Sequence, residues 1–172
     1  MCPWKAVMFK SGAYRALYKS PIGRIEVRGT EAGVSDLNFV KAKGSRRVGA
    51  SRNDLPAPLA DALVQLEEYF LGKRRVFTVK LDLDGTAFQR QVWRELLSVG
   101  FGRTTTYKAI AQALGRPAAT RAVGGANHRN PVSIIVPCHR VVGSDGRLTG
   151  YGGGLWRKEW LLRHEQADFT LS

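Results

Sequence analysis

The sequence reads as a mixed α/β (α+β) protein, with a β-meander and one helix in its first half and a cluster of short helices in its second. Three observations carry this. Short β-rich runs in the first third are divided by proline- and glycine-bearing turns. Apolar residues between 59 and 70 recur at helical spacing. Beyond Asp84-Gly85 the pattern breaks into compact segments with helix caps in front and glycines behind. At 172 residues the chain suffices for one domain or two small ones with a real core. We expect a boundary near 80–87, with an N-terminal α/β domain at 1–84 and a helical domain at 85–172.

In chain order, "YRALYKSPIGRIEVRG" holds two strands around a Ser-Pro-Ile-Gly turn, and "GVSDLNFV" follows a Thr-Glu-Ala-Gly turn, together a meander. Residues 41–53 are polar, basic and glycine-bearing and read as a mobile loop. Leu59, Leu63, Leu66 and Phe70 then fall on one helical face, which Gly72 ends. "VFTVKLDLDG" alternates Phe77, Val79, Leu81 and Leu83 with polar residues, the pattern of a half-buried strand. Thr86 and Gln89 make a capping-box signature. The helix it opens should bury Phe88, Val92 and Leu96 and stop near Gly100. "TTYKAIAQALG" predicts a compact helix with threonine caps, and Arg116-Pro117 starts another through "AATRAVGGANHRN". Two short helices joined by a tight glycine-containing turn are a helix-turn-helix signature. A last helix, "GLWRKEWLLRHEQ", carries Leu155, Trp156, Trp160 and Leu162, with Glu165 near its end.

Composition narrows the function. No apolar run approaches the roughly 20 residues of a membrane span, and Met-Cys-Pro-Trp-Lys lacks the apolar core of a signal peptide. The two cysteines, Cys2 and Cys138, build no disulfide framework, so a cytoplasmic location is expected. Charge says more. Lys plus Arg number 27 against 14 acids, a net +13 with pI near 10.4. The excess is spread evenly, 15 bases and 9 acids over 1–86 and 12 and 5 over 87–172. A polyanion, nucleic acid first, is the expected partner.

The chemistry concentrates in "PVSIIVPCHRVVGSDG", residues 131–146. An apolar run that reads as a buried strand ends in Pro137-Cys138-His139-Arg140. A lone cysteine is ordinarily a small buried hydrophobe. Beside a proton acceptor or a cation its nucleophilic thiolate is more populated, and His139 and Arg140 supply both kinds of group. Successive residues of an extended chain face opposite ways, so His139 should reach the sulfur only through a water or a sharp bend at Pro137. A histidine base also wants a third group to set its tautomer. Glu95, Asp145, Glu159, Glu165 and Asp168 are the candidates, and spacing does not choose among them.

"NPVSIIVPCHRVV" resembles the active-site segment of the O6-alkylguanine-DNA alkyltransferases, also called methylated-DNA–protein-cysteine methyltransferases. "FGRTTTYKAIAQALG", "RAVGGANHRNP" and "TGYGGGLWRKEWLLRHE" resemble that family in the same order, so the likeness is strong over about residues 86–166. It implies a ribonuclease-H-like N-terminal meander plus helix, then a winged helix-turn-helix domain holding the cysteine. It implies direct-reversal DNA repair, in which an alkyl group leaves O6 of a flipped guanine (less well O4 of thymine) and stays on Cys138, once per molecule. His139 would take the thiol proton through a water, Glu165 would orient His139, and Tyr107 would donate toward the departing guanine. Asn130 would tie the recognition helix to the Cys138 loop. Arg121 would enter the base stack from the minor groove, with Lys108, Arg116, Ala122, Gly125 and Ser144 also on the DNA side. Val141, Tyr151 and Gly152 would line the base pocket. The partner would be double-stranded DNA containing O6-alkylguanine, the protein a monomer, with cooperativity left open.

Two departures matter. Gly152 stands where several relatives have serine, which removes a hydroxyl and keeps a backbone amide. Some relatives hold zinc in the N-terminal part, but here Cys2 is the only cysteine there and His128, His139 and His164 all lie in the second half. Four ligands cannot be assembled, so no metal and no cofactor are expected. Two rivals remain. A cysteine hydrolase normally draws its cysteine and histidine from distant positions, and a non-catalytic damage-binding or regulatory helix-turn-helix protein would not need Cys138.

Overall fold

The computed structural model describes residues 4–8, 13–40 and 55–170, the first stretch as backbone only. The basic 41–53 loop and Cys2 lie outside the described residues. The chain divides into two compact units, Met1–Leu83 and Asp84–Ser172, and the mixed α/β expectation holds.

In the first unit β1 (Trp4–Met8), β2 (Tyr14–Ser20), β3 (Gly23–Thr30) and β4 (Gly33–Val40) form an antiparallel meander in that order. Sequence reading did not assign β1. The pleat sends alternate side chains to one face, so Ala16, Val27 and Leu37 stand in a single cross-strand row and are fully buried. Helix α1 (Ala57–Phe70) buries Leu59, Leu63 and Leu66 as its sequence predicts, together with Ala62 and Tyr69, whereas Phe70, expected on the same face, is half-buried. On the other face the buried Glu26 carboxylate is neutralised by Arg15, at 2.5 Å, and by Arg28.

The segment 77–84 corrects an expectation. Its alternation is real, with Val79 buried and Phe77, Leu81 and Leu83 half-buried between exposed polar neighbours. Yet it is no ladder strand. One parallel bridge, Val34 to Leu81, holds it through Val34 N–H to Lys80 O and Asp82 N–H to Val34 O, both 2.9 Å. Period-2 burial requires an extended chain over an apolar surface, not a paired one. A Cβ at Gly33 would lie 2.8 Å from the Leu81 carbonyl carbon, so only glycine admits this approach.

In the second unit α2 (Ala87–Leu97) starts with its capping box formed: Gln89 N–H donates to Thr86 Oγ1 at 3.2 Å, and Thr86 N–H donates to Gln89 Oε1 at 2.8 Å. It buries Val92, Trp93 and Leu96, whereas Phe88 stays half-buried with the Arg116 guanidinium 5.6 Å over its ring. The two-residue strands β5 (Thr105–Thr106) and β6 (Val141–Val142) pair in parallel. Helix α3 (Tyr107–Ala113) is capped by Thr106, whose hydroxyl accepts from Ala109 N–H at 3.1 Å. It ends at Gly115, whose φ of 68° suits glycine. A 3-10 turn, Pro117–Ala119, leads into α4 (Thr120–His128), and α5 (Leu155–His164) closes the unit. Trp93 fixes α4 from α2, donating Nε1–H to Ala126 O at 2.9 Å. On α5 the buried residues are Lys158, Leu161 and Leu162, while Leu155 and Trp156 are exposed.

Candidate active site and nucleic-acid interface

The run ahead of Cys138 is not a strand. Residues 132–136 fold into a fully buried turn, in which Val136 N–H donates to Val132 O at 3.0 Å and Ile134 sits at φ 73°. A positive φ is strained for a β-branched residue. Asn130, two residues past α4, brackets the turn: its Nδ2–H donates to Val136 O at 2.8 Å, and its Oδ1 accepts from Val132 N–H at 3.0 Å. Asn130 therefore joins the end of α4 to the cysteine segment. Pro137 leads into a 3-10 turn, Cys138–Arg140, so the cysteine and histidine are not on opposite faces of an extended chain.

Glu165, immediately beyond α5, is the carboxylate that meets His139. His139 Nε2 lies 2.8 Å from Glu165 Oε1, with both side chains fully buried. Arg140 grips the same carboxylate in a fork, Nε to Oε2 at 2.8 Å and Nη2 to Oε1 at 3.0 Å. Gly102 N–H adds a longer contact to Oε2 at 3.4 Å. Glu95, Asp145 and Glu159 bond to neighbours on their own segments.

The protonation pattern follows. Burial acts to raise Glu165, but His139 and Arg140 together outweigh it and hold its carboxyl well below the usual range. Burial dominates at His139 and holds its imidazole below its ordinary 6.5 despite Glu165. A neutral ring facing an ionised carboxylate must donate through Nε2–H. That leaves Nδ1 as a lone-pair acceptor, buried and without a hydrogen-bond partner among the described residues. The Cys138 thiol is pushed up by burial, an effect that the Asn130 hydrogen bond and the Lys158 charge reduce without reversing. Arg140 is committed to Glu165, so the expectation that it would favour the thiolate directly is corrected. The resting sulfur is held as a thiol.

Sequence reading missed Lys158. It is fully buried, its ammonium donates to Val141 O at 2.5 Å and Thr149 O at 2.7 Å, and burial pushes it down to about 8. The signal was present: Lys158, Leu161, Leu162 and Glu165 follow the i, i+3, i+4, i+7 pattern, which puts two charged residues on the buried face of α5.

Other expected residues fall around this centre. Tyr107, the first residue of α3, is half-buried with its hydroxyl 3.1 Å from Thr149 Oγ1. Val141 is fully buried, and Tyr151 has a buried hydroxyl, its phenol held well above 10.0 by burial and by Cys138. Gly152 is exposed, and a Cβ there would meet nothing within 4 Å. Lys108, Arg116, Arg121, Ala122 and Ser144 are exposed, and Gly125 is half-buried on α4. Among the described residues no three His, Cys, Asp or Glu side chains gather as a metal site, and no helix is long and apolar enough to cross a membrane.

Fold and site together define a class: a two-unit α/β protein whose helix-turn-helix is tied, through Asn130, to a buried cysteine that is followed directly by a buried histidine–carboxylate pair. Comparison with known proteins is specific. Residues 87–167 match the family model "6-O-methylguanine DNA methyltransferase, DNA binding domain", and residues 13–83 match its "ribonuclease-like domain". The methylated-DNA–protein-cysteine methyltransferase of Methanosarcina barkeri is 48% identical over 153 residues, covering 89% of this chain and 97% of that protein. Its namesake from Mycolicibacterium paratuberculosis is 46% identical, covering 88% and 94%. Mycobacterium tuberculosis OGT solved in complex with DNA superimposes with a TM-score of 0.75 at 39% identity, covering 95% of this chain and 92% of that one. The chain belongs to the 6-O-methylguanine DNA methyltransferase family.

Proposed function

We propose that this protein repairs DNA by direct reversal, moving the alkyl group of O6-alkylguanine in duplex DNA onto Cys138. The observation that carries this is the relay: a buried thiol, a neutral His139 with Nδ1 open and Nε2 on Glu165, and Arg140 fixing that carboxylate. The reaction forms a sulfur–carbon bond and breaks the carbon–O6 bond. The thiol proton passes through a water to His139 Nδ1, and Tyr107 donates a hydrogen bond toward the guanine ring as it takes up negative charge. A thioether does not revert unaided, so each molecule acts once and no cofactor is required.

The buried thiol cannot reach an atom inside a duplex, so the nucleotide is flipped out, at a cost of a few kcal/mol that is least for a damaged base. Arg121, exposed on α4, fills the vacated stack from the minor groove. The alanines and glycines around it let the helix approach closely. Lys108, Arg116, Ala122, Gly125 and Ser144 meet the DNA alongside, with little sequence preference because minor-groove readout is degenerate. Val141, Tyr151 and Gly152 line the pocket, where Gly152 offers its amide. In this reading 85–172 is the DNA-binding and catalytic domain, the protein works as a monomer, and it resides with the DNA in the cytoplasm. A non-catalytic damage sensor would have no use for the Cys138 relay. To test the proposal, excess duplex carrying one O6-methylguanine is mixed with the protein. One methyl per protein chain and no further turnover is expected, and tight binding at unchanged protein mass would establish the sensor instead.

A further inference from the structure

We propose that Thr149 is a positioning residue for the transfer: its hydroxyl holds the Tyr107 phenol in line with the reacting base. The inference rests on the transfer reading above and deepens it.

The geometry is a closed ring of contacts. Tyr107 is fixed at its backbone because β5 ends at Thr106 and pairs with β6, Thr105 opposite Val141 and Thr106 opposite Val142. It is fixed at its tip because its hydroxyl meets Thr149 Oγ1 at 3.1 Å. The Thr149 backbone is held in turn, since its carbonyl accepts from Lys158 Nζ at 2.7 Å, and the same ammonium reaches Val141 O at 2.5 Å. Val141 directly follows the Cys138–Arg140 turn. Lys158 thus ties the segment bearing Thr149 to the segment bearing the cysteine, and Thr149 passes that registration to the phenol. A half-buried tyrosine without this partner keeps its ring but loses the direction of its O–H.

The pairing also sets which way the proton points. Either oxygen can donate. When Thr149 donates, the phenol O–H is free to turn toward the base and its oxygen is polarised by the hydroxyl it accepts from. When the phenol donates to Thr149, its proton is withheld from the base. A residue with no hydroxyl at 149 leaves the phenol without this partner, and serine keeps it.

The test measures single-turnover transfer with protein in excess over a duplex bearing one O6-methylguanine, for wild type, Thr149→Val, Thr149→Ala, Thr149→Ser, Tyr107→Phe and Tyr107→Phe combined with Thr149→Val. Affinity for undamaged duplex and thermal melting are recorded for each. Removing one neutral hydrogen bond predicts a rate about 3- to 10-fold lower for the Val and Ala variants. Affinity should be unchanged, Ser should recover the rate, and Val should cause no further loss in the Tyr107→Phe background. Rates equal to wild type in folded Val or Ala variants, or an equal loss with and without the phenol hydroxyl, would overturn it. If the Val variant does not fold, the Ala and Ser pair decides by the same criteria. Wild-type protein that transfers nothing refutes the transfer reading, whereas wild-type transfer with an indifferent Thr149 refutes this inference alone.

Discussion

Replacing Glu165 by Gln separates the relay's charge from its shape. The amide keeps the volume and can still accept from His139 Nε2–H, but it leaves the Arg140 guanidinium, only 7% exposed, without a counter-charge. Removing one partner of a buried ion pair costs about 3–5 kcal/mol, and at this chain length 1 kcal/mol shifts Tm by roughly 2–4 °C. The variant should therefore melt roughly 6–20 °C lower at pH 7. A misdirected base forfeits much of the ~10²–10⁴-fold that general-base catalysis supplies, so single-turnover transfer should fall at least about 10²-fold. The pH dependence fixes the sign. The native Glu165 carboxyl sits below its unfolded value near ~4.3, so its stabilisation is present above that pH and drains as pH falls toward the native value. The gap in melting temperature between wild type and variant should be full at pH 7 and begin to narrow only below about pH 4, shrinking steadily as the pH is lowered further. A gap that does not narrow as the pH is lowered below about 4, or a variant within about 2 °C of wild type at pH 7, would show that the Arg140–Glu165–His139 array is not what holds this site.

Four other outcomes are expected. Arg121→Ala should slow transfer from duplex by about 10-fold or more, as part of the flipping cost is no longer offset, while affinity for undamaged duplex changes little; equal losses in both measurements would count against the finger role. Because burial keeps His139 neutral below its ordinary 6.5, the acid limb of the transfer rate should lie below that pH, and a limb above it would mean the ring is protonated at rest. The same group makes the fold lose stability as pH drops through the unfolded histidine value, where only the unfolded chain takes up the proton. Methylated protein should melt lower than unmodified protein, since Cys138 is 5% exposed and an added methyl in a packed site costs about 1–3 kcal/mol; coincident melts would contradict that.

Periodicity and caps were legible in the sequence because they are local. Thr86 with Gln89, Gly72, Gly115 and the stripe of Leu59, Leu63 and Leu66 are local signals, and the structure uses them as written, with only Phe70 of that stripe left half-buried. The 77–84 segment and the 131–136 run were misread for a shared reason: burial pattern and hydrophobicity report an apolar environment, not hydrogen-bond pairing. At the site, the choice of Glu165 among five carboxylates depended on a contact across 26 residues, which spacing does not encode. The family likeness named it, and the geometry supplies the physical reason. Arg140 looked like a promoter of the thiolate because it is two residues from Cys138; the 3-10 turn sends it to Glu165 instead. Thr149 opens the family-like stretch "TGYGGGLWRKEWLLRHE" but nothing local in it signals a role, and its contact with Tyr107 spans 42 positions.

Everything rests on Cys138 being the atom that accepts the alkyl group. After reaction with duplex carrying a single O6-methylguanine, peptide mass mapping should place one added methylene on the Cys138 peptide and none elsewhere, and Cys138→Ser should bind the same DNA while gaining no mass. Methyl found on another residue, or transferred by the serine variant, would contradict the assignment outright.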